Sequence, residues 1–255
     1  MNNKISVLIL AKNEEDNIAD CIKSCQKFAS EIIVIDDYSN DNTAKLAEEL
    51  GAKVIQHSLN ADWGSQQNFA INQANCDWIF FLDADERVDN ALAEEIIKAV
   101  NKDNKVAYWI KRYSRLRHYQ VSHGILRTDE VMRLLPKEEA KVEGKVHPQI
   151  ISPYPQEKIK TGGLIHYTYK NNAHYWRKFN QYTDLSAQKY LEKGKKFNFF
   201  LDLIIRPFWA FFKIYFINLG FLDGKVGFIF SVNHAFYTFT KYSKFYFLEN
   251  SKGDF

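Results

Sequence analysis

The segment WIFFLDADERVDN places acidic side chains directly after an apolar run. Asp83, Asp85 and Glu86 follow five largely apolar residues of the kind found in buried strands. Residues two apart in an extended chain lie on the same side, so Asp83 and Asp85 can point at one place. A hard divalent cation at that place would remove their repulsion, because it accepts carboxylate oxygens together with the oxygens of a bound diphosphate.

Polar residues also follow two earlier apolar runs. Asn13 and Glu14 come after the first run, and Asp36 and Asp37 come at the end of the second. The alternative interpretation, for these as for the acids after the later run, is a solvated turn in which an acidic or amide side chain caps the next helix.

Elements of two kinds alternate over the first hundred residues and must position these side chains. The predicted strands are ISVLIL, EIIVI, AKVIQH and WIFFLD. The predicted helices are NEEDNIADCIKSCQKF, SNDNTAKLAEELG, GSQQNFAINQA and NALAEEIIKAV. Strands that alternate with helices across short connections predict right-handed βαβ units and a parallel sheet covered on both faces. Ligands of such sheets bind beyond the carboxyl ends of the strands, where the acids collect.

Two details support these helices and the compartment. Cys21 and Cys25 share one face of the first helix with Ile18 and Ile22, which predicts packed, reduced thiols typical of the cytoplasm. Gly51 stands where a helix commonly ends in a left-handed residue.

Several nucleotide-binding classes are excluded by the turn after the first strand. This turn is LAKNEED, which contains no glycine, so the dinucleotide fingerprint is missing. The phosphate-binding loop G-x-x-x-x-G-K-[ST] and the glycine- and arginine-rich loop of sugar nucleotidyltransferases are missing as well. The remaining class is a site that binds a diphosphate through a metal.

Three of these segments resemble, in order and spacing, the nucleotide-site motifs of family 2 glycosyltransferases of the GT-A fold. They are VLILAKNEEDNI, IVIDDYSNDNT and FFLDADE. Further segments resemble the bacterial lipopolysaccharide inner-core β-1,4-glucosyltransferase branch, namely VEGKVHPQI, GGLIHYTY, KFNQYTDLSAQKYLEKGKK and GFLDGKVG. The resemblance implies an α/β fold, with a Rossmann-like, mostly parallel sheet flanked by helices over residues 1–169. A basic, aromatic helical region would cover residues 170–255.

The resemblance implies a UDP-sugar as the donor and gives roles to residues at the carboxyl edge of the sheet. Asp37, with Asp36, would face the uracil and the ribose, and a carboxylate can accept the uracil N–H. Ala11, Asn13 and Glu14 would line the nucleotide pocket.

The metal motif of the family corresponds to Asp83-Ala84-Asp85. The resemblance implies that Mg²⁺ or Mn²⁺ binds there, with Asp85 as the direct ligand, Asp83 beside it and Ala84 at the donor. Glu86 would lie near the sugar or behind the metal ligands. Three polar residues would lie beneath the donor at the start of the third helix, namely Gln66, Gln67 and Asn68.

The implied reaction inverts the anomeric centre. An acceptor hydroxyl attacks the anomeric carbon of an α-linked UDP-sugar while UDP leaves, and a carboxylate takes the acceptor proton. The metal neutralises charge that develops on the diphosphate.

The general base is left open by a departure from the family pattern. Many relatives carry Glu directly after a Val-His pair, whereas this chain has Pro148, which cannot accept a proton. The candidate bases are Glu143, His147, Asp129 and Glu130. His147 could instead be a third metal ligand, since neutral imidazole suits Mn²⁺.

Other polar residues have two interpretations each. His147 and His166 could be packed, hydrogen-bonded histidines. Arg127, Arg133 and Lys145 could serve an acceptor phosphate or the leaving diphosphate, or they could form a solvated face.

The last third of the chain differs in composition. From Lys170 to Phe255 there are 13 Lys and Arg against six Asp and Glu, and 14 of the 20 Phe lie between Phe197 and Phe247. The basic residues are interleaved with Phe instead of being clustered, which favours a lipid surface over a nucleic acid as the partner.

Two helices are predicted in this region. The first is expected to begin at its cap Asn172 and to end at Gly194. The second, RPFWAFFKIYFINLG, has Pro207 in its first turn and Gly220 at its end. A bilayer span needs about 20 apolar residues, and charges interrupt this one. We therefore expect it to lie at an anionic membrane surface, with a packed helix or a dimer interface as the alternative.

The sequence as a whole predicts an inverting glycosyltransferase that moves glucose from UDP-glucose to a heptose of the lipopolysaccharide or lipooligosaccharide inner core. The acceptor would be a lipid-linked saccharide, and the enzyme would be peripheral on the inner face of the bacterial inner membrane. The alternatives are a transferase for another lipid-linked or protein glycan and a catalytically degenerate GT-A binding protein, the latter motivated by Pro148.

Overall fold

The chain divides into two compact units. The computed structural model describes residues 4–102, 104–145 and 148–252. The first unit comprises Met1–Tyr113 and Asp129–His166, and the second comprises Ser114–Thr128 and Tyr167–Phe255. The sequence-based boundary lay after residue 169. As the chain folds, the second unit begins at Tyr167 and also includes the earlier segment Ser114–Thr128.

The first unit is built around an eight-stranded sheet with the order β3-β2-β1-β4-β7-β6-β10-β5. The strands are β1 (Ile5–Ala11), β2 (Glu31–Asp36), β3 (Lys53–Gln56), β4 (Trp78–Asp83), β5 (Glu86–Val88), β6 (Ala107–Arg115), β7 (Asp129–Pro136) and β10 (Gln156–Tyr167), while β8 (Lys141–Glu143) and β9 (Gln149–Ile151) form a separate antiparallel pair. The first four strands pair in parallel, as predicted. The later strands add antiparallel pairs, since β7 runs against β4 and β6, and β5 runs against β10.

Helices cover both faces of this sheet, which confirms the predicted layering. They are α1 (Ile18–Cys25), α2 (Thr43–Glu49), α3 (Trp63–Gln73) and α4 (Asn90–Val100). One apolar layer holds side chains of α1, α2 and α4, and the other holds α3 with the β8–β9 pair.

Local signals place these helices as expected. Ile18, Cys21, Ile22 and Cys25 are all fully buried on the inner face of α1. Gly51 follows the end of α2 with φ +82°, a conformation that costs glycine little. The α4 cap is settled as well, because the Asp89 carboxylate accepts a hydrogen bond of 2.7 Å from Leu92 N–H at its start. Asp89 is therefore the N-terminal cap of α4.

The second unit contains three α-helices, α5 (Asn172–Glu192), α6 (Arg206–Phe212) and α7 (Gly224–Ser251). The predicted cap of α5 is wrong by one residue, because the Asn171 side chain accepts the His174 N–H at 2.8 Å. Gly194 follows α5 with φ +60°, as expected of a helix-ending glycine.

The second predicted helix starts earlier than its proline. The Asn198 side chain accepts the Leu201 N–H at 2.9 Å, and a π-helical turn, Leu201–Ile205, precedes α6. Pro207 lies in the first turn of α6, as predicted, and the π-helical turn extends the helical run before it. A second π-helical turn, Lys213–Ile217, follows α6, and the run stops before Gly220.

Asp223 fixes the segment Ser114–Thr128 within the second unit. Its buried carboxylate accepts the backbone N–H groups of Ser122 and His123 and contacts the His123 ring at 2.9 Å. The GFLDG motif therefore anchors this segment.

Among the described residues, no single helix is both long and apolar enough to cross a bilayer. The pair Leu201–Ile217 and Gly220–Ser251 meets the length and composition requirements together, with a 72° bend between its members.

Candidate functional site

A cavity of 110 Å³ opens at the carboxyl ends of β1 and β2. The predicted residues Ala11, Asp37 and Gln66 line it. Lys12 and Trp63 line it too, although the sequence analysis did not select them. Their positions in the sequence could have indicated them, because Lys12 directly follows β1 and Trp63 begins α3.

Asp37 is the buried acid of this cavity, with 8% of its surface exposed. Its Oδ1 accepts the Leu59 N–H at 3.0 Å, and its Oδ2 contacts Lys12 Nζ at 2.7 Å. A carboxylate has about four lone-pair sites, so Asp37 keeps acceptor capacity beyond these two contacts. Lys12 brings an exposed cation to the cavity rim.

Asp36 and Asn13 shape the adjoining loop. The Asp36 carboxylate is fully buried and accepts the Ser39 N–H at 2.9 Å and its hydroxyl at 2.5 Å. Asn13, at φ +55°, donates its N–H to Ser39 Oγ and accepts the Asn40 N–H on its side chain. Neither residue lines the cavity.

Glu14 serves the start of α1. Its Oε2 accepts from the Asn17 side chain at 2.7 Å, and its carbonyl accepts the N–H groups of Asn17 and Ile18. This predicted nucleotide residue therefore organises the loop that leads into the helix.

The three polar residues of α3 have different surroundings. The side-chain nitrogen of Gln66 donates to the His57 backbone carbonyl at 2.9 Å, and Gln66 Oε1 lies 2.5 Å from Nδ1 of the His57 ring. Asn68 clamps Val142 of β8 through two hydrogen bonds, of 2.8 and 2.9 Å. Gln67 is buried, and its Oε1 has no hydrogen-bond partner within the described part of the chain.

The acidic turn after β4 is organised by Arg133 of β7. One terminal nitrogen of Arg133 contacts Asp83 Oδ2 and also lies 2.8 and 3.0 Å from the two oxygens of Glu86. Glu86 is fully buried, whereas 43% of the Asp83 side chain is exposed. The alternative that Arg133 belongs to a solvated face is wrong, because its side chain is 8% exposed and lies between these carboxylates.

The opposite charges of this cluster favour each other's ionised forms. Burial raises the pKa of Glu86, and the nearby guanidinium of Arg133 acts in the opposite direction. Burial opposes the charge of Arg133 too, but Asp83 and Glu86 more than compensate and raise its pKa. Arg112 extends the cluster, since it lies 3.4 Å from Glu86 and holds both oxygens of Asp129 at 3.0 and 2.6 Å.

Asp85 contacts His166 of β10. Its Oδ2 lies 3.3 Å from His166 Nε2, and 18% of its side chain is exposed, against 15% for His166. Ala84 between the two acids is buried. His166 is paired in register with Glu86, so the antiparallel β5–β10 contact brings the imidazole to the acidic turn.

The GG pair of the GGLIHYTY motif lies close to α4 and β6. A Cβ on Gly162 would lie 2.2 Å from the backbone nitrogen of Leu92, and one on Gly163 would lie 2.4 Å from the Tyr113 ring. Side chains at these positions would force β10 away from the start of α4 and from β6. The sequence showed these glycines and His166 but gave no indication of the strand pairing that joins them.

This arrangement offers donors suited to a divalent metal. Asp85 and His166 supply a carboxylate oxygen and an imidazole nitrogen side by side, and Asp83 supplies a second, exposed carboxylate. Carboxylate and imidazole ligands together suit Mn²⁺. Within the described ranges, no three such side chains already stand at metal-binding distance from one another. Oxygens of a bound diphosphate would complete the coordination.

The candidate bases lie at different places. Asp129 and Glu130 are neighbours on β7, so their side chains point to opposite faces, and Glu130 contacts Lys158 at 2.5 Å. Asp129 is linked to the Arg133 cluster through Arg112, which contacts both Asp129 and Glu86. Glu143 is on β8 and pairs with Lys141 at 2.8 Å. His147 lies outside the described residues.

Two further predicted cations are exposed. Arg127 belongs to the segment Ser114–Thr128 of the second unit. Lys145 follows β8, and its carbonyl accepts the Trp63 N–H at 2.9 Å. Its backbone thus contacts the residue that begins α3 and lines the cavity.

Residues 6–182 match the protein family described as Glycosyl transferase family 2. An uncharacterised glycosyltransferase of Rickettsia typhi is 32% identical to this chain over 253 residues, which are 94% of this chain and 86% of the relative. The lipopolysaccharide core biosynthesis glycosyltransferase LpsC of Rhizobium meliloti is 30% identical over 260 residues, covering 95% and 92%.

Among solved structures, the chain is similar to glucosyl-3-phosphoglycerate synthase from Mycobacterium tuberculosis in complex with Mn²⁺, UDP and glucosyl-3-phosphoglycerate. The TM-score is 0.37 at 19% identity, with 53% of this chain and 57% of that chain covered.

Proposed function

Because the chain belongs to glycosyl transferase family 2 and is therefore a sugar-transferring enzyme, we propose that it moves glucose from UDP-glucose to a heptose of a lipopolysaccharide or lipooligosaccharide inner core. The similarity to LpsC along nearly the whole chain supports a role in lipopolysaccharide core synthesis.

The observation that carries the proposal is the register at the carboxyl edge of the sheet. Ala11 of β1 is paired with Asp36, and Leu10, one residue earlier, is paired with Asp83 of β4. The cavity and the acidic turn therefore lie side by side. In this proposal the nucleoside occupies the cavity beside Asp37, and the diphosphate extends towards Asp83 and Asp85.

The residues that would hold the metal are Asp85 and His166, with Asp83 available when the donor binds. A bound divalent cation supplies positive charge to the leaving diphosphate. Lys12 supplies a second positive charge at the cavity rim, and its contact with Asp37 fixes its position there. Trp63 closes the apolar side of the cavity.

Asp129 is the base that this geometry favours. Arg112 links it to Glu86 and so to the acidic turn, whereas Glu130 pairs with Lys158. Arg112 occupies two of the acceptor sites of Asp129 and holds the carboxylate in place, and 47% of the side chain is exposed to an incoming acceptor. The remaining lone pairs can accept the acceptor proton.

Asp129→Asn should lower the turnover rate about 10²–10⁴-fold, because it removes the base while its amide oxygen can still accept one of the two Arg112 hydrogen bonds. Glu130→Gln is the matched control from the next position of the strand and should keep turnover within about threefold. Comparable losses in both variants would contradict the assignment of Asp129.

The general test of the function is a panel of UDP-sugars supplied with isolated core acceptors, with and without Mn²⁺ or Mg²⁺. We expect turnover with UDP-glucose, with a metal, and on a heptose-bearing acceptor. Absence of turnover with every donor, in folded protein that contains metal, would contradict an enzymatic role and favour the binding-protein alternative.

The second unit is proposed to hold the enzyme on the inner face of the bacterial inner membrane, where a lipid-linked acceptor resides. Five apolar side chains spaced four residues apart form what we call the apolar stripe: Phe200, Ile204, Phe208, Phe212 and Phe216. Their exposed fractions run from 38% to 70%. Exposed apolar residues of α7 add to this surface, namely Phe228, Ile229, Val232, Phe236 and Phe239. Exposed apolar area of this extent marks an interaction surface.

Charge favours an anionic bilayer as the partner. Lys213 and Lys225 are exposed on the helical segments that carry the apolar residues, and Lys196 is exposed just before the first of these segments. Each cation near an anionic leaflet contributes about 1 kcal/mol, which salt weakens, and the buried rings add a contribution that salt does not weaken.

Co-sedimentation with anionic vesicles tests this surface. Binding should fall but persist as salt rises, and the Phe208→Ser, Trp209→Ser and Phe212→Ser triple variant should lose the persistent part. Phe211 is left unchanged because its ring packs on Tyr215 and Phe228.

Leu191→Ser is the control, since Leu191 is 44% exposed on α5, away from the apolar stripe. Extraction at alkaline pH then separates the two modes of attachment. Release would agree with surface binding, whereas retention would indicate that the bent helix pair inserts. No binding at low salt would contradict both.

A further inference from the structure

Arg133 makes contacts that neither donor binding nor proton transfer explains. Its side chain is 8% exposed, and one of its terminal nitrogens serves two carboxylates with very different surroundings. Glu86 is sealed from solvent, while Asp83 is nearly half exposed.

This nitrogen has fewer hydrogens to donate than there are carboxylate oxygens within reach. A terminal guanidinium nitrogen carries two hydrogens, yet three carboxylate oxygens of Asp83 and Glu86 lie within hydrogen-bonding distance. The two acids therefore compete for the same N–H groups. When Asp83 turns away, Glu86 can take both, so the buried guanidinium is not left without a counter-ion.

Glu86 also fixes the backbone of the turn. Its Oε2 accepts the Asp83 N–H at 3.1 Å. The main chain at Asp83 thus stays in place while its carboxylate is held only by Arg133 among the contacts observed.

The net charge of the cluster also favours the binding of a cation. Four carboxylates stand against two guanidiniums, those of Arg112 and Arg133, which leaves two negative charges when His166 is neutral. The carboxylates are Asp83, Asp85, Glu86 and Asp129. One divalent cation would balance this excess.

We infer that Arg133 is a positioning residue that holds Asp83 in the metal-free enzyme and gives it up to the incoming cation, so that it sets the metal affinity of the site. Glu86 is the fixed partner that keeps Arg133 in place during the exchange. This inference rests on the proposed metal-dependent function.

Mn²⁺ binding in the presence of UDP, followed through the electron paramagnetic resonance signal of free Mn²⁺, tests the inference without any turnover. Arg133→Lys keeps the positive charge, but its ammonium lies one bond closer to the backbone than the terminal nitrogen of Arg133 that contacts both carboxylates. We expect Arg133→Lys to bind Mn²⁺ about tenfold more tightly, because Asp83 is released from a charge-assisted hydrogen bond.

Arg112→Lys is the matched control, since Arg112 belongs to the same cluster but does not contact Asp83 among the contacts observed. Its Mn²⁺ affinity should stay within about twofold of the wild-type value. A Mn²⁺ affinity of Arg133→Lys that equals or falls below the wild-type value overturns the inference. An equal gain in affinity in both variants would indicate a general charge effect and overturns the inference as well.

A second pair of variants covers the case in which Arg133→Lys does not fold. Glu86→Gln leaves Arg133 with Asp83 as its ionised partner, so Mn²⁺ affinity should fall about tenfold. Asp129→Asn removes one negative charge from the same cluster without touching Arg133 and should lower the affinity less. Equal losses overturn the inference. Absence of Mn²⁺ binding in the wild-type protein overturns both this inference and the metal-dependent function, whereas wild-type binding without the variant effects overturns the inference alone.

Discussion

The two units of the molecule depart in different ways from the usual pattern of exposed charges and buried aromatic rings. The first unit buries charges, with Glu86 fully enclosed and Arg133 nearly so, while the second exposes rings, with Phe200 and Phe208 each 70% exposed. Soluble proteins normally show neither feature on this scale. The buried charges compensate each other, whereas nothing in the described chain covers the rings. The buried charges therefore find their partners within the first unit, whereas the exposed rings of the second unit are available to contact another molecule.

The largest effect is expected where the acidic turn meets the donor. Asp85→Asn should lower turnover about 10³-fold or more and abolish metal-dependent UDP binding, because the metal charge is lost from the leaving diphosphate. The control is Asp77→Asn, an exposed acid that precedes the other end of the same strand. Assays with saturating Mn²⁺ and circular dichroism distinguish lost chemistry from lost folding. Near-normal turnover in Asp85→Asn would remove the acidic turn from the mechanism.

Stability measurements sharpen the contrast between buried charge and exposed ring. Arg133→Met should lower the free energy of unfolding by about 3–5 kcal/mol, since it leaves Glu86 buried without its main counter-ion. Phe208→Ser should change it by less than about 0.5 kcal/mol, because that ring loses little contact.

Phe245 provides the internal control for the second unit, since its ring is fully buried. Phe245→Ala should cost about 3–5 kcal/mol. Urea unfolding of the three variants gives the comparison. A large loss in Phe208→Ser would mean that the apolar stripe is part of a packed core, against a role in membrane binding.

Elements that depend on local signals were predictable from the sequence. The first four strands, the helices between them and the inner face of α1 were confirmed, and so was the GT-A fold. The reason is that periodicity, caps and glycine stops act within a few residues. The acids were predicted to share one edge because parallel strands end together, and the β1–β2 and β1–β4 registers bear this out.

Elements that depend on distant pairing were not predictable. The antiparallel strands β5, β6, β7 and β10 were not assigned, because their partners lie far along the chain. The roles of Arg133 and His166 depend on those pairings, so their residue types alone could not reveal them. The early start of the helical run before Pro207 was missed because the Asn198 cap was not recognised.

The smallest predicted effect concerns a titratable group inside the helical unit, His234 of α7. Burial lowers the pKa of His234 to about 4, and the positive charges of Lys241 and Lys213 act in the same direction. The unfolded chain takes up a proton near pH 6.5, so the neutral, buried form contributes stability above that pH. This contribution is lost as the pH falls from 6.5 towards 4.

The free energy of unfolding should therefore drop by about 2 kcal/mol more in the wild-type protein than in His234→Gln between about pH 7 and about pH 5. Acidic groups shared by both proteins cancel in this difference. Glu86 is the opposite case in the first unit, since its buried charge has Arg133 beside it, whereas the charges acting on His234 have its own sign. Urea unfolding at the two pH values, followed by fluorescence, measures the difference. Equal losses in both proteins would show that His234 is hydrated or finds a counter-ion.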